Sequence, residues 1–158
     1  MKKVWACQLE MVEMFQKVCK ENGLRFWLDS GSLLGAIRHK GYIPWDDDID
    51  LVMFRDDYDK LVQMADKVFR HPYIFQTAYT EKNFVRGHAQ LRNVNTSAII
   101  PEEIYKAFNQ GIFIDIFVLD NVPDDEQEYE RRKRRADKLR DRLELRAKPM
   151  RDCSDKIS

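Results

Sequence analysis

The sequence turns on GYIPWDDDID, residues 41–50, where Asp46, Asp47, Asp48 and Asp50 set four carboxylates in five positions. Like charges that close repel one another, so a positive group or free access to water has to offset them. The overlapping segment DIDLVMF (48–54) combines alternation with an apolar run and reads as a strand. In a strand, side chains two apart share a face, which puts Asp48 and Asp50 together while Ile49 and Leu51 face a core. Asp46 lies beyond the Pro44-Trp45 bend, and Asp47 faces elsewhere. Two readings follow: a solvated acidic turn, or a claw for a divalent cation, for which hard oxygen ligands suit Mg²⁺, with Mn²⁺ as the alternative. A calcium loop is set aside, because Leu51 stands where such a loop needs glycine and Asp57 where it prefers glutamate.

The flanking segments add charge and shape. RFWLDSG (25–31) reads as a short buried strand with a polar exit, and SLLGAIRHKG (32–41) as a short helix. Gly31-Ser32 thus leaves a strand and opens a helix, where free backbone N–H groups favour phosphate. Arg38, His39 and Lys40 supply three cations just ahead of the acids, and no Walker-type GxxxxGK[ST] run exists in the chain. Trp45 suits either a base-stacking role or a core or lid position. Further on, GIFIDIFVLD (111–120) places one carboxylate, Asp115, inside an otherwise apolar strand. A buried acid needs a partner, either an ion shared with Asp48 and Asp50 or a salt bridge to Arg92 or Arg86.

The rest of the chain frames these residues. Apolar positions from Val4 to Asn22 (Val4/Trp5, Leu9, Val12, Phe15, Val18/Cys19) recur at helical spacing up to Gly23, and a further helix is expected over 56–69. Strands are expected at 73–78, 84–94 and 111–119. Strands interleaved with helices indicate an α/β or α+β fold built on a mixed sheet. From Asp124 to Lys148 both signs of charge surround a thin stripe of Tyr129, Ala136, Leu139 and Leu143, which predicts a long solvated helix, and the final residues, 151–158, read as a flexible tail. The expected division is a core over 1–122, a charged helix over 123–150 and that tail.

Composition excludes several classes. The 158 residues carry 27 basic and 27 acidic side chains, a balance that gives no reason to expect a nucleic-acid partner and leaves at most a peripheral membrane contact through RRKRR (131–135). Cys7, Cys19 and Cys153 form no CxxC pair and read as reduced thiols of a cytoplasmic protein. The N-terminal stretch carries Gln8, Glu10 and Glu13 where a signal peptide would be apolar, and no run of 18 apolar residues exists to span a membrane.

Taken together, a GS turn, an Asp-hydrophobic-Asp pair on the next strand and a third Asp on a later one resemble the nucleotidyltransferase (polymerase-beta-like) superfold. GSLLGAIRHKGYIPWDDDIDLVM is similar to the signature of the LicD family of phosphocholine transferases and fukutin-related proteins, and the likeness extends to QLRN (90–93) and GIFIDIFVLD. The resemblance implies that Asp48, Asp50 and Asp115 are the catalytic, metal-binding acids. It implies that Gly31 and Ser32 form the nucleotide-phosphate turn, with Arg38, Gln90 and Arg92 as further phosphate contacts. It implies an Mg²⁺-dependent enzyme that moves a phospho-substituent from a CDP-linked donor to a hydroxyl of a cell-surface glycan. The alternatives are nucleotidyl transfer to another acceptor and a noncatalytic nucleotide- or glycan-binding piece of a longer protein. Two features depart from the family: Gln90 stands where a lysine is usual, and relatives continue well beyond this length.

Overall fold

A computed structural model describes residues 1–147. The expected tail at 151–158, with Cys153, lies outside the described residues. The first compact unit runs from Met1 to Asp120 and a second begins at Asn121.

The first unit is a mixed α/β structure built on a five-stranded sheet. In chain order its elements are α1 (Lys2–Glu21), β1 (Trp27–Leu28), α2 (Ser30–Arg38), β2 (Asp50–Phe54), α3 (Arg55–Val68), β3 (Tyr73–Gln76), β4 (Ala89–Asn93) and β5 (Ile112–Leu119). The strands lie in the order β1-β2-β5-β4-β3, with β2 and β5 parallel and the other pairs antiparallel.

Alternation along the strands gives the sheet two different faces. Leu51, Met53, Leu91, Ile114 and Ile116 join Met11, Phe15 and Val18 of α1 and Leu61 and Ala65 of α3 in one apolar core. The opposite face carries Asp50, Asp115 and Gln90, aligned across β2, β5 and β4, and Gln76 of β3 continues the row. Side chains at directly opposed positions on one face are neighbours, so register alone makes a polar line across four strands.

Several boundaries shift from the sequence expectation. The strand expected over 48–54 begins at Asp50, so Asp48 belongs to the preceding loop. The one expected over 84–94 shortens to Ala89–Asn93; Phe84, 1% exposed, packs edge-on to Phe108 ahead of it. In α1 the inward face is rotated from the expected stripe: Gln8 is buried and Leu9 half exposed. A buried amide needs partners, and Gln8 donates to the backbone oxygens of Asp47 (2.9 Å) and Phe113 (3.2 Å) while accepting from the Tyr42 hydroxyl (2.9 Å).

The second unit contains α4 (Glu126–Ala147). Asp125 caps it, its Oδ1 accepting from the N–H groups of Gln127 and Glu128 at 2.7 and 3.0 Å. Glu128 takes Arg131 and Arg132 on the next turn.

Candidate active site

The acids meet because of the parallel pair. Asp50 opens β2 and is in register with Asp115 of β5, and the Asp115 N–H donates to the Ile49 carbonyl at 2.9 Å. Ile49 is buried, which turns its neighbours Asp48 and Asp50 away from the core and toward Asp115. Oxygens of Asp48, Asp50 and Asp115 all lie within 4.8 Å of one another, and a second grouping of the same span joins Asp46, Asp47 and Asp48.

This crowding is electrostatically costly. Burial and the neighbouring Asp50 push the Asp48 carboxyl up to about 6. Burial and Asp115 push Asp50 up as well, with Asp29 and Asp46 adding to the effect. Among the described residues, neither Asp48 nor Asp50 has a salt-bridge partner, and Asp115 pairs with neither Arg92 nor Arg86. Three converging hard oxygen donors with a deficit of positive charge fit a divalent cation such as Mg²⁺.

The loop that brings the acids in is anchored through its backbone. The Trp5 indole N–H donates to the Asp46 carbonyl at 2.9 Å, Trp5 stacks on Tyr42 at 4.9 Å, and Gln8 holds the Asp47 carbonyl. The carbonyls are thus secured by α1, while the Asp46 carboxylate accepts from the Asp47 N–H at 3.2 Å. Sequence periodicity counted Trp5 as an apolar residue and gave Gln8 no role, because their partners lie about forty positions away in the chain.

The glycine-serine turn abuts the same place. Helix α2 starts at Ser30, and the first of its N–H groups satisfied at this end is that of Leu33, bonded to the Asp29 carbonyl at 3.0 Å. Ser32 Oγ accepts from the Asp50 N–H at 2.9 Å, tying the helix start to the strand that carries the acid. A Cβ on Gly31 would come within 2.7 Å of Asp46 Oδ2, the end of a side chain that can turn aside, so the turn and the acidic loop are close neighbours.

Other expected residues are placed differently. Arg38 is exposed at the end of α2, where it is open to a ligand. Trp45 is 79% exposed beside His39, which removes the core reading and leaves the base or lid. Gln90 and Arg92 are each 1% exposed, so neither reaches a phosphate as placed. Gln90 donates to Asp115 Oδ1 at 2.7 Å. Arg92 donates to Gln76 Oε1 (2.6 Å), the Gly111 carbonyl (2.7 Å) and Gln90 Oε1, and its guanidinium lies against the rings of Phe108 and of Phe113 in β5. Burial lowers its guanidinium to about 10. His88, which no local spacing links to the acids, has Nε2 at 3.1 Å from Asp115 Oδ1, without the alignment of a hydrogen bond.

Beside the acids lies a cleft of about 470 Å³, lined by Asp47, Asp48 and Asp115 together with apolar residues that include Val4, Ile99 and Ile112. It is large enough for a small ligand next to the carboxylates.

A mixed sheet that presents acids at the start of one strand and on its parallel neighbour, beside a glycine-serine helix start, defines a nucleotidyltransferase-type domain. Residues 23–138 match the family described as LicD/FKTN/FKRP, nucleotidyltransferase domain, and the chain belongs to that family. It is 34% identical over 118 residues to the lipopolysaccharide cholinephosphotransferase LicD of Haemophilus influenzae, a match covering 74% of this chain and 43% of that protein. It is 47% identical over 47 residues to the human ribitol 5-phosphate transferase FKRP and 43% identical over 56 residues to the mouse ribitol-5-phosphate transferase FKTN, covering 30% and 35% of this chain and 10% and 12% of those proteins. The chain therefore spans less than half the length of these relatives.

Proposed function

We propose that this chain is the transferase domain of an enzyme that moves a phospho-substituent, such as phosphocholine or a polyol phosphate, from a CDP-linked donor to a glycan hydroxyl. The observation that carries the reading is the convergence of Asp48, Asp50 and Asp115 beside the Gly31-Ser32 turn, in a chain of the LicD family. Mg²⁺ would be held by these three acids, and when bound it supplies charge stabilisation for the phosphates and the developing oxyanion.

The protein's own groups account for the rest. In this reading the N–H groups at the start of α2 and the exposed Arg38 guanidinium take non-bridging phosphate oxygens. The acceptor oxygen attacks the phosphorus that bears the headgroup, the bond to the bridging oxygen breaks, and CMP leaves with its electron pair. Asp115 is the carboxylate we assign to the acceptor side, to orient the hydroxyl or take its proton. The cleft beside Asp48 and Asp115 gives the transferred group room. We place the reaction in the cytoplasm, where Cys7 and Cys19 stay reduced; no helix of the described residues is long and apolar enough to cross a membrane.

The test is to incubate the protein with Mg²⁺, CDP-choline, CDP-ribitol or CDP-glycerol and a lipopolysaccharide acceptor, with products read by mass spectrometry. Release of CMP with a headgroup phosphate on the glycan supports the reading. Release of pyrophosphate from a nucleoside triphosphate assigns nucleotidyl transfer instead, and binding of CDP-alcohols without turnover assigns a noncatalytic domain.

A further inference from the structure

The polar row across the sheet has a direction. Arg92 donates through Nη2 to Gln90 Oε1, which fixes the Gln90 amide so that its NH₂ group faces the next strand. That NH₂ donates to Asp115 Oδ1 at 2.7 Å, and both residues are buried. A glutamine alone can turn its amide either way; with Arg92 on one end, only the donor is left for Asp115.

Arg92 is itself fixed on every side. Its other hydrogen bonds go to Gln76 Oε1 and the Gly111 carbonyl, and its guanidinium lies 4.6 Å from the centre of the Phe113 ring. Gln76 is oriented in turn by donating to the Asn109 carbonyl at 3.2 Å. None of these acceptors is a carboxylate. A buried cation without a directly bonded anion is costly, and the Asp115 charge on the far side of Gln90 is among its nearest compensation. His88 Nε2 lies 3.1 Å from the same carboxylate oxygen without forming a hydrogen bond to it.

We propose that Gln90, set by Arg92, is a positioning residue for the acid cluster: it holds Oδ1 of Asp115 and leaves the second oxygen to a divalent cation shared with Asp48 and Asp50. The inference rests on the cation reading above and adds to it which residues fix the third carboxylate. Groups that orient ligating carboxylates change metal affinity by about 10- to 100-fold when they are removed.

Gln90→Met and Gln76→Met separate positioning from packing, because each removes one acceptor from Arg92 but only Gln90 touches Asp115. The probe is Mn²⁺, titrated into the whole chain and followed by the loss of the free-ion electron paramagnetic resonance signal, well below each variant's melting temperature. The inference predicts a Kd raised about 10- to 100-fold in Gln90→Met and changed less than about twofold in Gln76→Met. Equal affinity in Gln90→Met and the parent chain overturns it, as does an equal loss in both variants. Should Gln90→Met fail to fold, Gln90→Asn, whose amide is one carbon short of Asp115, replaces it with the same expectation. A parent chain that binds no Mn²⁺ overturns the cation reading and this inference with it; binding in the parent with no effect at Gln90 overturns this inference alone.

Discussion

Asp48 and Asp50 keep their charge at a cost to the fold. The Asp48 carboxyl is raised from about 3.8 to about 6 by burial and by Asp50. Its contribution to the stability of the metal-free chain is thus full below pH 3.8 and lost as pH rises through about 6. Solvent screens part of this effect, since Asp48 is only partly buried. A cation needs the ionised carboxylate, so the melting temperature gained on adding excess Mg²⁺ should be small at pH 5 and several degrees at pH 7.5. A gain independent of pH in differential scanning fluorimetry would contradict this. Asp50→Asn should lower Mn²⁺ affinity by more than about 100-fold, beyond the effect of an orienting group, without lowering the melting temperature of the metal-free chain. Calorimetric titration paired with thermal unfolding checks both halves. A variant that binds Mn²⁺ normally removes Asp50 from the site.

Among the elements, α2 and β2 form one unit with the acidic loop between them. Ser32 is bonded to Asp50, and Gly35 lets the helix lie against the returning chain. A Cβ at Gly35 would meet the Gly41 carbonyl oxygen at 2.5 Å and the Ile43 nitrogen at 3.0 Å, both backbone atoms that cannot turn aside. Gly35→Ala should therefore cost about 1–3 kcal/mol and weaken cation binding as the loop is displaced. Thermal unfolding together with Mn²⁺ titration reads the two effects, and an unchanged melting temperature would contradict the packing.

The same unit shows what the sequence could disclose. That Asp48 and Asp50 lie together was legible from the spacing around Ile49, although Asp48 precedes the strand rather than belonging to it, and Asp115 was legible because a lone acid interrupts an apolar strand. The order of α2 and β2 was legible from Gly31-Ser32 and from the run after Asp50. That Gln90 and Arg92, expected as phosphate contacts, are buried in a row of side chains was not legible, because cross-strand register, which pairs Gln90 with Asp115 and with Gln76, is not a local property. Nor can spacing along the chain disclose which loops close over a sheet face. His88 escaped for the same reason.

At the scale of the whole first unit, Gln8 joins three distant segments: helix α1, the acidic loop through Asp47, and β5 through Phe113. The helical repeat put Leu9 inward, since nothing in the sequence marks a glutamine that finds three polar partners in a core. Gln8→Leu strands the Asp47 and Phe113 carbonyls and the Tyr42 hydroxyl, and should cost about 2–4 kcal/mol. For a chain of this size the melting temperature should fall on the order of 10 °C, read by calorimetry. A loss no larger than that of a surface substitution would mean that the loop is held by other contacts.

The central claim is that three carboxylates, two from one segment and one from a parallel strand, share a divalent cation. Anomalous diffraction from crystals of the chain soaked in Mn²⁺ tests it most directly. The account predicts a peak bonded to oxygens of Asp48, Asp50 and Asp115 at about 2.0–2.6 Å, the range of such ions. A well-ordered site with no peak there, or a peak held by Asp46 and Asp47 alone, would contradict it.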